Sequence, residues 1–329
     1  MKIVIFHPVL LPPPAYGGVE RVVLWLAQGL VLLGHQVYVA ALGGSRLPAG
    51  VHLIEMQAGQ ISAMDLLGKL PSSVDVVHFM APPEKGVIEK LPCASLLTVH
   101  GNGKVGERFP RNTVFLSADH ARRHRSSRFV YNGIDPSEFK FAPSLKGESF
   151  LFLSKTNWRV KNLRGAMKMC RQARVPLQIA GGNRPYGYRL QAWLNSRMTW
   201  EGAVSGEKKA DLLMRARALI FPVTWHEPFG LVVVEALMSG TPVLASALGS
   251  LPELIPPSDR VGALMTSEDE WIEKLSLPRY KWEPEACRAW AMEKFHFQKM
   301  AESYDAVYRE VVLGKPLNTI EPETIERVN

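Results

Sequence analysis

Short, almost continuous hydrophobic runs alternate with longer amphipathic segments through the first 131 residues of the chain. The first amphipathic segment, residues 18–33, follows the first run closely and predicts a helix. Runs of this length that are apolar on both faces are typical of strands in a parallel sheet, with helices as the connections. The predicted strands cover residues 3–6, 37–41, 51–56, 74–79, 95–100, 113–117 and 128–131.

A second series of the same kind begins after a polar stretch, residues 135–149, that contains Pro136, Pro143 and Gly147. Proline and glycine in a polar segment are typical of a connection between domains, and we place the linker at 141–149. The predicted strands beyond it are 150–154, 177–180, 218–221 and 242–246. The predicted helices are 162–173, 208–217, 231–239 and 283–312.

This pattern predicts an α/β protein with two Rossmann-like, doubly wound parallel-sheet domains that face a central cleft. The first domain is placed at 1–140 and the second at 150–298. A C-terminal helix, 299–313, is expected to cross back to the first domain, and a polar, poorly ordered tail, 314–329, to follow it. Ligands of open α/β sheets bind beyond the carboxyl ends of the strands, so function is sought in those loops.

Composition agrees with two globular domains and indicates the cellular compartment. The 329 residues are 47% hydrophobic and 21% charged. The three cysteines are far apart and form no CxxC pattern, which disfavours a disulfide framework or a structural zinc site. No apolar run reaches the roughly 20 residues of a membrane span, and the first run is too short for a signal peptide. We expect a cytoplasmic protein.

The net charge is +8, and part of it is concentrated in a cluster of arginines between residues 108 and 128. An arginine cluster can be a solvated helix face, or it can meet phosphates, an anionic acceptor or the inner face of a membrane as a peripheral contact. No aromatic residues are interleaved as nucleic-acid binding requires, so we expect no nucleic-acid partner. Six arginines form the cluster: Arg108, Arg111, Arg122, Arg123, Arg125 and Arg128.

The most informative segment, residues 226–237, follows the predicted strand 218–221. Gly230 allows close approach of the backbone to a ligand, and Leu231 opens an apolar helix whose free N–H groups favour an anion such as a diphosphate. Glu227 precedes that helix and Glu235 lies on its second turn, within a strongly apolar run. A capping and solvated role is the alternative, but an unpaired charge among apolar residues is costly. The carboxylates therefore indicate a site that accepts hydrogen bonds from sugar hydroxyls.

The segment resembles the family-four retaining glycosyltransferases of the GT-B fold. Their signature is a Glu, seven residues and a second Glu, with Phe-Gly after the first, as at Glu227, Phe229, Gly230 and Glu235. The resemblance implies that Glu227 contacts the hydroxyls of the donor sugar and Glu235 the ribose. It also implies that the backbone of residues 229–231, including Leu231, holds the diphosphate and sugar.

Two lysines lie where the family places cations for the diphosphate. Lys155 ends the predicted strand 150–154, and Lys161 precedes the next helix. Cations there offset the charge that grows on a leaving group. The family has an arginine at the first position, so either Lys155 or Arg159 could fill that role. Gly181, at the end of another strand, permits close approach of a nucleotide.

The N-terminal half carries two further candidates. Gly17 and Gly18 precede the first predicted helix, after Tyr16, and suit a phosphate or a simple turn. The run around them resembles a compact bacterial subgroup that includes UDP-glucose:tetrahydrobiopterin glucosyltransferase-like proteins. His100 ends a predicted strand and could position a substrate or shuttle a proton, or it could be a structural loop residue.

The resemblance implies a retaining hexosyltransferase that uses a nucleoside-diphosphate sugar, UDP favoured over GDP, as co-substrate. No Asp-x-Asp motif is present, and we expect neither a metal nor another cofactor. The acceptor hydroxyl is unidentified and could belong to an anionic or lipid-linked molecule. A nucleotide-sugar epimerase of the same fold and a non-catalytic nucleotide-sugar-binding module on an anionic surface are the alternatives.

Overall fold

The structure is a computed structural model of the chain that describes residues 1–14, 17–182, 197–277 and 282–325. Two compact units divide the chain. Unit 1 comprises Met1–Ile134 together with Phe295–Arg327, and unit 2 comprises Asp135–Lys294. Each unit is built on one six-stranded sheet, and each is described by itself below.

Unit 1 has a parallel sheet of strand order β3-β2-β1-β4-β5-β6. Its central strands are almost entirely buried because helices cover both faces of a parallel sheet. The strands are β1 Lys2–Phe6, β2 Gln36–Leu42, β3 Val51–Met56, β4 Val76–Phe79, β5 Ala94–Thr98 and β6 Thr113–Val114. The helices are α1 Gly18–Leu32, α2 Ala63–Leu67 and α3 Ala118–Arg122, with α10 Phe297–Val312 from the end of the chain.

Unit 2 repeats this arrangement with the order β12-β11-β10-β7-β8-β9, again parallel. Its strands are β7 Phe150–Leu153, β8 Leu177–Ala180, β9 Met198–Gly202, β10 Leu219–Phe221, β11 Val243–Ser246 and β12 Gly262–Met265. Its helices are α4 Leu163–Gln172, α5 Gly206–Arg215, α6 Leu231–Met238, α7 Leu251–Leu254, α8 Glu268–Ser276 and α9 Pro284–Phe295.

Both sheets are doubly wound, as the hydrophobic pattern predicts. Within each unit the first strand of the series pairs with both the second and the fourth, so the direction of winding reverses there. These reversal points lie between β1 and β4 in unit 1 and between β7 and β10 in unit 2. A crevice opens at such a point in open α/β sheets, and it is where their ligands bind.

Several details differ from the predicted elements, and the short helices α2, α3, α7 and α8 were not predicted. Residues 128–131 form only a single bridge, Phe115 with Phe129, because the backbone leaves the sheet after two hydrogen bonds. The predicted helix 283–312 is two helices, since His296 adopts an extended conformation and its side chain caps α10 by accepting from the N–H of Gln298. Strands β9 and β12 were not predicted from the hydrophobic pattern, and both are only partly buried.

Helix α10 packs on α1 and the sheet of unit 1 through a buried aromatic contact. The hydroxyl of Tyr308 lies 2.8 Å from Nδ1 of His78, and that of Tyr304 lies 2.9 Å from Oγ1 of Thr98. Nε2 of His78 also contacts Oγ1 of Thr98 at 2.7 Å. This chain of hydrogen bonds satisfies polar groups that burial would otherwise make costly, and it fixes how α10 packs.

Residues 315–325, here called the C-terminal strap, were expected to be poorly ordered, and this expectation is wrong. The strap runs along unit 1 and bonds to its backbone, as between the N–H of Phe109 and the carbonyl of Pro322 at 2.9 Å. Asn318 is buried, and its Nδ2 donates to the carbonyls of Arg111 and Thr113. The polar composition that suggested disorder thus supplies hydrogen bonds instead. Residues 326–329 lie outside the described part of the chain.

Candidate nucleotide-sugar site

Glu227 lies in the loop between β10 and α6, at the reversal point of unit 2, and its side chain is held by two donors. Nζ of Lys161 and Nε1 of Trp225 both donate to its Oε2, each at 2.6 Å. Glu227 is only 8% exposed, so an unpaired carboxylate there would be costly. Its Oε1 takes no hydrogen bond from any residue that the structure describes. One oxygen is therefore fixed while the other remains able to accept from a ligand hydroxyl.

Lys161 reaches Glu227 because the loop after β7 is bound to the loop after β10. The N–H of Thr224 donates to the carbonyl of Val160 at 2.9 Å. A 3-10 turn, Arg159–Lys161, then ends at Asn162, whose φ of 55° is left-handed and whose Oδ1 caps α4 by accepting from the N–H of Gly165. The strand ends, the turn and the cap together orient Lys161.

The start of α6 lies beside Glu227, and hydrogen bonds from Ser250 stabilise it. Gly230 has a φ of 90°, a left-handed conformation that favours glycine, and it is the N-cap of the helix. Oγ of Ser250 donates to the carbonyl of Phe229 at 2.6 Å, and the N–H of Ser250 donates to the carbonyl of Glu227 at 3.0 Å. The N–H of Val233 donates to the carbonyl of Gly230 at 2.9 Å, which leaves the N–H groups of Leu231 and Val232 at the start of α6 as the ones that can bind an anion.

Glu235, on α6, is buried and is held by a lysine that sequence reasoning missed. Nζ of Lys209, from α5, lies 2.6 Å from both carboxylate oxygens. This pairing explains how a charge is tolerated within an apolar helix. The neighbouring Lys208, which is half exposed, pairs with Glu201 instead. Nothing in the sequence distinguishes Lys209 from Lys208, because only the tertiary packing decides which of them faces Glu235.

Two tryptophans border the lysines of this site. Nζ of Lys155 lies 4.4 Å from the ring centroid of Trp158, and Nζ of Lys161 lies 4.9 Å from that of Trp225. The two rings meet edge to face at 6.1 Å, although Trp158 is 43% exposed. Cation–π contacts of this kind hold an ammonium group with about 0.5–1 kcal/mol at exposed sites. Lys155 and Lys161 thus each contact one ring of this aromatic pair, whereas Arg159 is exposed.

Gly181 follows β8 and has a φ of 113°. A Cβ at this position would collide with the backbone carbonyl of Ser154, at the end of β7. Its glycine is therefore required by the close packing of two strand ends, whether or not a nucleotide also approaches it. The predicted role in donor binding stays a prediction.

The candidates in unit 1 lie around the carboxyl end of its sheet. Gly17 precedes α1, and a Cβ there would lie 2.8 Å from Oε2 of Glu20 and 2.6 Å from Pro13. Gly18 is the first residue of α1, while Tyr16 lies outside the described residues. His100 follows β5, and burial lowers its pKa to about 3, with a smaller effect from His7. His100 is therefore neutral at physiological pH.

The six arginines of residues 108–128 are engaged within unit 1. Arg123 is completely buried and donates to Asp119 and Asn102, and Arg122 also pairs with Asp119. The other four contact the strap or α10: Arg108 and Arg125 pair with Glu323, Arg128 with Glu310, and Arg111 donates to the carbonyl of Asn318. The cluster is thus neither a simple solvated face nor an unpaired basic patch.

Within the parts of the chain that the structure describes, no group of three or more His, Cys, Asp or Glu side chains could hold a metal ion. None of the helices in those same parts combines the length and apolar character needed to cross a bilayer.

Comparison with known proteins finds a family match for the part of the chain that contains Glu227. Residues 147–276 match the family described as Glycosyl transferases group 1. The chain is 34% identical over 118 residues to the MMP alpha-(1->4)-mannosyltransferase of Mycolicibacterium hassiacum, covering 33% of this chain and 28% of that protein. It matches only about a quarter to two-fifths of the length of such curated relatives.

Solved structures match the whole fold. AviGT4, a glycosyltransferase involved in avilamycin A biosynthesis, is 25% identical with a TM-score of 0.76, over 95% of this chain and 98% of that chain. Anabaena HepE in complex with UDP-glucose has a TM-score of 0.69 at 14% identity, over 94% of this chain and 100% of that chain. The fold is therefore GT-B, and residues 147–276 are similar to the glycosyl transferases group 1 domain, as the motif around Glu227 predicts.

Proposed function

We propose that the protein is a retaining glycosyltransferase that moves a hexose, with glucose favoured, from UDP to an acceptor hydroxyl. The observation that carries the proposal is the fixed carboxylate of Glu227 beside Lys161 and the start of α6. The group 1 domain and the UDP-glucose bound to the structurally similar HepE support a UDP-sugar donor. The mannosyltransferase relative makes mannose the second candidate sugar.

Each group at this site has a specific task in the proposal. Oε1 of Glu227 accepts a hydrogen bond from a hydroxyl of the donor hexose, while Lys161 and Trp225 hold Oε2. Lys155, Lys161 and the N–H groups after Gly230 neutralise the diphosphate, the task that a divalent cation performs elsewhere. An ammonium group has three donors, so Lys161 can bond to Glu227 and a phosphate oxygen together. The carboxylate of Glu235 accepts hydrogen bonds from the ribose hydroxyls while it stays paired with Nζ of Lys209.

The reaction proceeds by attack of the acceptor oxygen on the anomeric carbon, from the face that the diphosphate leaves. The bond between the anomeric carbon and the phosphate oxygen breaks as the new glycosidic bond forms. A phosphate oxygen takes the proton of the acceptor hydroxyl, so free nucleoside diphosphate is released and the anomeric configuration is retained. Glu227 forms no covalent bond in this scheme.

A non-catalytic module on an anionic surface is the alternative from another class, and an epimerase the alternative enzyme. The arginines at 108–128 have partners within unit 1, although the side chains of Arg108, Arg122, Arg125 and Arg128 stay 40–68% exposed, so the cluster gives the surface module only weak support. An epimerase would convert the donor without an acceptor. Release of UDP that depends on an acceptor therefore separates the proposed transferase from both.

The test is UDP-glucose turnover with a panel of sugar and polyol acceptors, in wild type and in Glu227→Gln. We expect acceptor-dependent release of UDP that is unaffected by EDTA, with an α-linked product by NMR. The amide loses the negative charge that holds Lys161, so we expect kcat to fall about 100-fold or more. Glu285→Gln, an exposed change on α9, is the control and should keep wild-type rates. Wild-type activity in Glu227→Gln, or a β-linked product, would contradict the proposal.

A further inference from the structure

Lys209 and Glu235 form an ion pair within unit 2, and the proposed function gives a task only to the carboxylate. Nζ of Lys209 lies 2.6 Å from Oε1 and 2.6 Å from Oε2 of Glu235. The two side chains come from different helices, Lys209 from α5 and Glu235 from α6. The position of the ammonium group is therefore set by the packing of α5 against α6.

The pair lies on a helix whose other buried residues are all apolar. The desolvation of two buried charges offsets most of their attraction, and apolar residues of similar volume often stabilise a fold as well or better. Stability alone is thus a weak reason for an ion pair at this place, and a role in binding a ligand is the stronger one. The other buried residues of α6 are Val233, Val234, Ala236, Leu237 and Met238.

Glu235 lies about one turn after the end of α6 that is proposed to bind the diphosphate. Leu231 and Glu235 are four residues apart, so they share a face of the helix and lie about 6 Å apart along its axis. The N–H groups that can bind an anion are those of Leu231 and Val232. A nucleoside diphosphate that lies along this face of α6 brings its ribose to the ion pair.

The ammonium group is the more accessible partner of the pair. The side chain of Lys209 is 17% exposed, against 5% for that of Glu235. An ammonium group has three N–H donors, and two of them suffice for the two oxygens of Glu235. Nζ of Lys209 has no other hydrogen-bonding partner among the residues that the structure describes, so its third donor is available to a ligand.

We propose that Lys209 binds the ribose of the donor directly and makes the site specific for a ribonucleotide over a deoxyribonucleotide. The inference rests on the proposed function, which assigns the ribose to Glu235, and it adds a second and cationic contact. A hydroxyl group donates and accepts at once, so a ribose hydroxyl can accept from the ammonium group while it donates to the carboxylate. A deoxyribose leaves these charged groups without that partner, which disfavours its binding.

Calorimetric titration of the whole chain with UDP and with 2′,3′-dideoxy-UDP tests the contact. We expect wild type to bind UDP about 100-fold more tightly than dideoxy-UDP, because the analogue lacks the hydroxyls that bond to charged groups. Lys209→Met should weaken the binding of UDP about tenfold and that of dideoxy-UDP by less than about twofold. Lys208→Met is the matched control and should leave both affinities as in wild type, because Lys208 pairs with Glu201.

The proposal is overturned if a folded Lys209→Met chain binds both probes equally more weakly, or if it binds UDP as wild type does. Equal weakening is the result of general damage to the site, which does not depend on the ribose hydroxyls.

A second pair of variants keeps the test open if Lys209→Met does not fold, since that change leaves the charge of Glu235 buried and unpaired. Glu235→Gln removes the charge, and Lys209→Met is then added to it. A direct contact predicts that the added change still weakens UDP, and weakens it more than dideoxy-UDP. A lysine that acts only by orienting the carboxylate predicts no further loss, and that result overturns the proposal.

Failure of this inference is distinguishable from failure of the proposed function. A wild-type chain that transfers glucose from UDP-glucose but binds UDP and dideoxy-UDP equally is a transferase without the ribose contact, which contradicts this inference alone. A wild-type chain that binds neither UDP nor UDP-glucose contradicts the proposed function and the inference with it.

Discussion

Trp225 and Glu227 are two residues apart, and the indole N–H of one fixes the carboxylate of the other. The motif in the sequence drew attention to Glu227 but not to Trp225, because a tryptophan near a strand end is more often a core residue. The bond of 2.6 Å from Nε1 to Oε2 leaves Oε1 of Glu227 oriented and unbonded by the described residues. Trp225 is therefore a positioning residue of the proposed donor site.

Replacing Trp225 by Phe keeps an aromatic ring and removes only the donor. Hydrogen bonds to charged groups contribute about 1.5–3 kcal/mol, so we expect kcat/KM for UDP-glucose to fall roughly 10-fold to 100-fold. Trp290→Phe is the matched control, since its indole donates at 2.8 Å to the carbonyl of Leu254 on another part of unit 2. That control should lower the melting temperature but keep kcat/KM. Equal kinetic losses in both variants would show that the effect at Trp225 is general destabilisation.

The C-terminal strap shows how a polar segment can be held without a hydrophobic core of its own. Asn318 accepts from Oγ of Ser126 at 2.6 Å while its Nδ2 donates to two backbone carbonyls of unit 1. Glu323 meets Arg108 and Arg125, which lie on the exposed side. The strap therefore places one carboxylate beside two exposed arginines and supplies hydrogen bonds to the backbone of unit 1.

Asn318→Ala leaves the buried carbonyl of Thr113 without its donor, whereas the carbonyl of Arg111 keeps the backbone N–H of residue 318 at 3.1 Å. A buried carbonyl without a partner costs about 1–3 kcal/mol, so we expect the free energy of unfolding of unit 1 to fall by about that amount. Urea denaturation and hydrogen exchange of the strap amides measure the effect. The adjacent exposed Thr319→Ala should change neither. Unchanged exchange in Asn318→Ala would mean that other contacts hold the strap.

At the scale of the whole molecule, buried neutral histidines make stability depend on pH. Burial lowers the pKa of His78 and His100 to about 3, against an ordinary value of 6.5. Above pH 6.5 neither the folded nor the unfolded chain binds these protons, and the stability is complete. As the pH falls from 6.5 towards 3, the unfolded chain takes up protons that the folded chain does not, so folding weakens.

We therefore expect the free energy of unfolding to fall by about 2 kcal/mol per histidine between pH 7 and pH 5. Denaturant titrations at half-unit steps of pH measure the slope. His100→Gln should flatten it, and the exposed His52→Gln should leave it as in wild type. A stability that is constant across this window would show that the two rings are protonated in the folded chain.

The sequence by itself determined the two doubly wound sheets and the position of Glu227, because both are expressed in local order. Buried parallel strands must be short apolar runs, and a strand, a glycine and a helix must follow one another to present Glu227 and Gly230. Two predictions were wrong, the strand at 128–131 and the unbroken helix at 283–312. Both regions depend on single contacts, at Phe115 and at His296, that no local sequence pattern indicates.

Only the tertiary structure decided the partners of the charged groups. Lys209 rather than Lys208 pairs with Glu235, and Trp225 bonds to Glu227. Arg108 and Arg125 pair with Glu323 of the strap, from the far end of the chain. A buried charge must be paired, but its partner is set by which side chains the packed elements bring within hydrogen-bonding distance. That distance is a property of the folded chain and not of spacing along it.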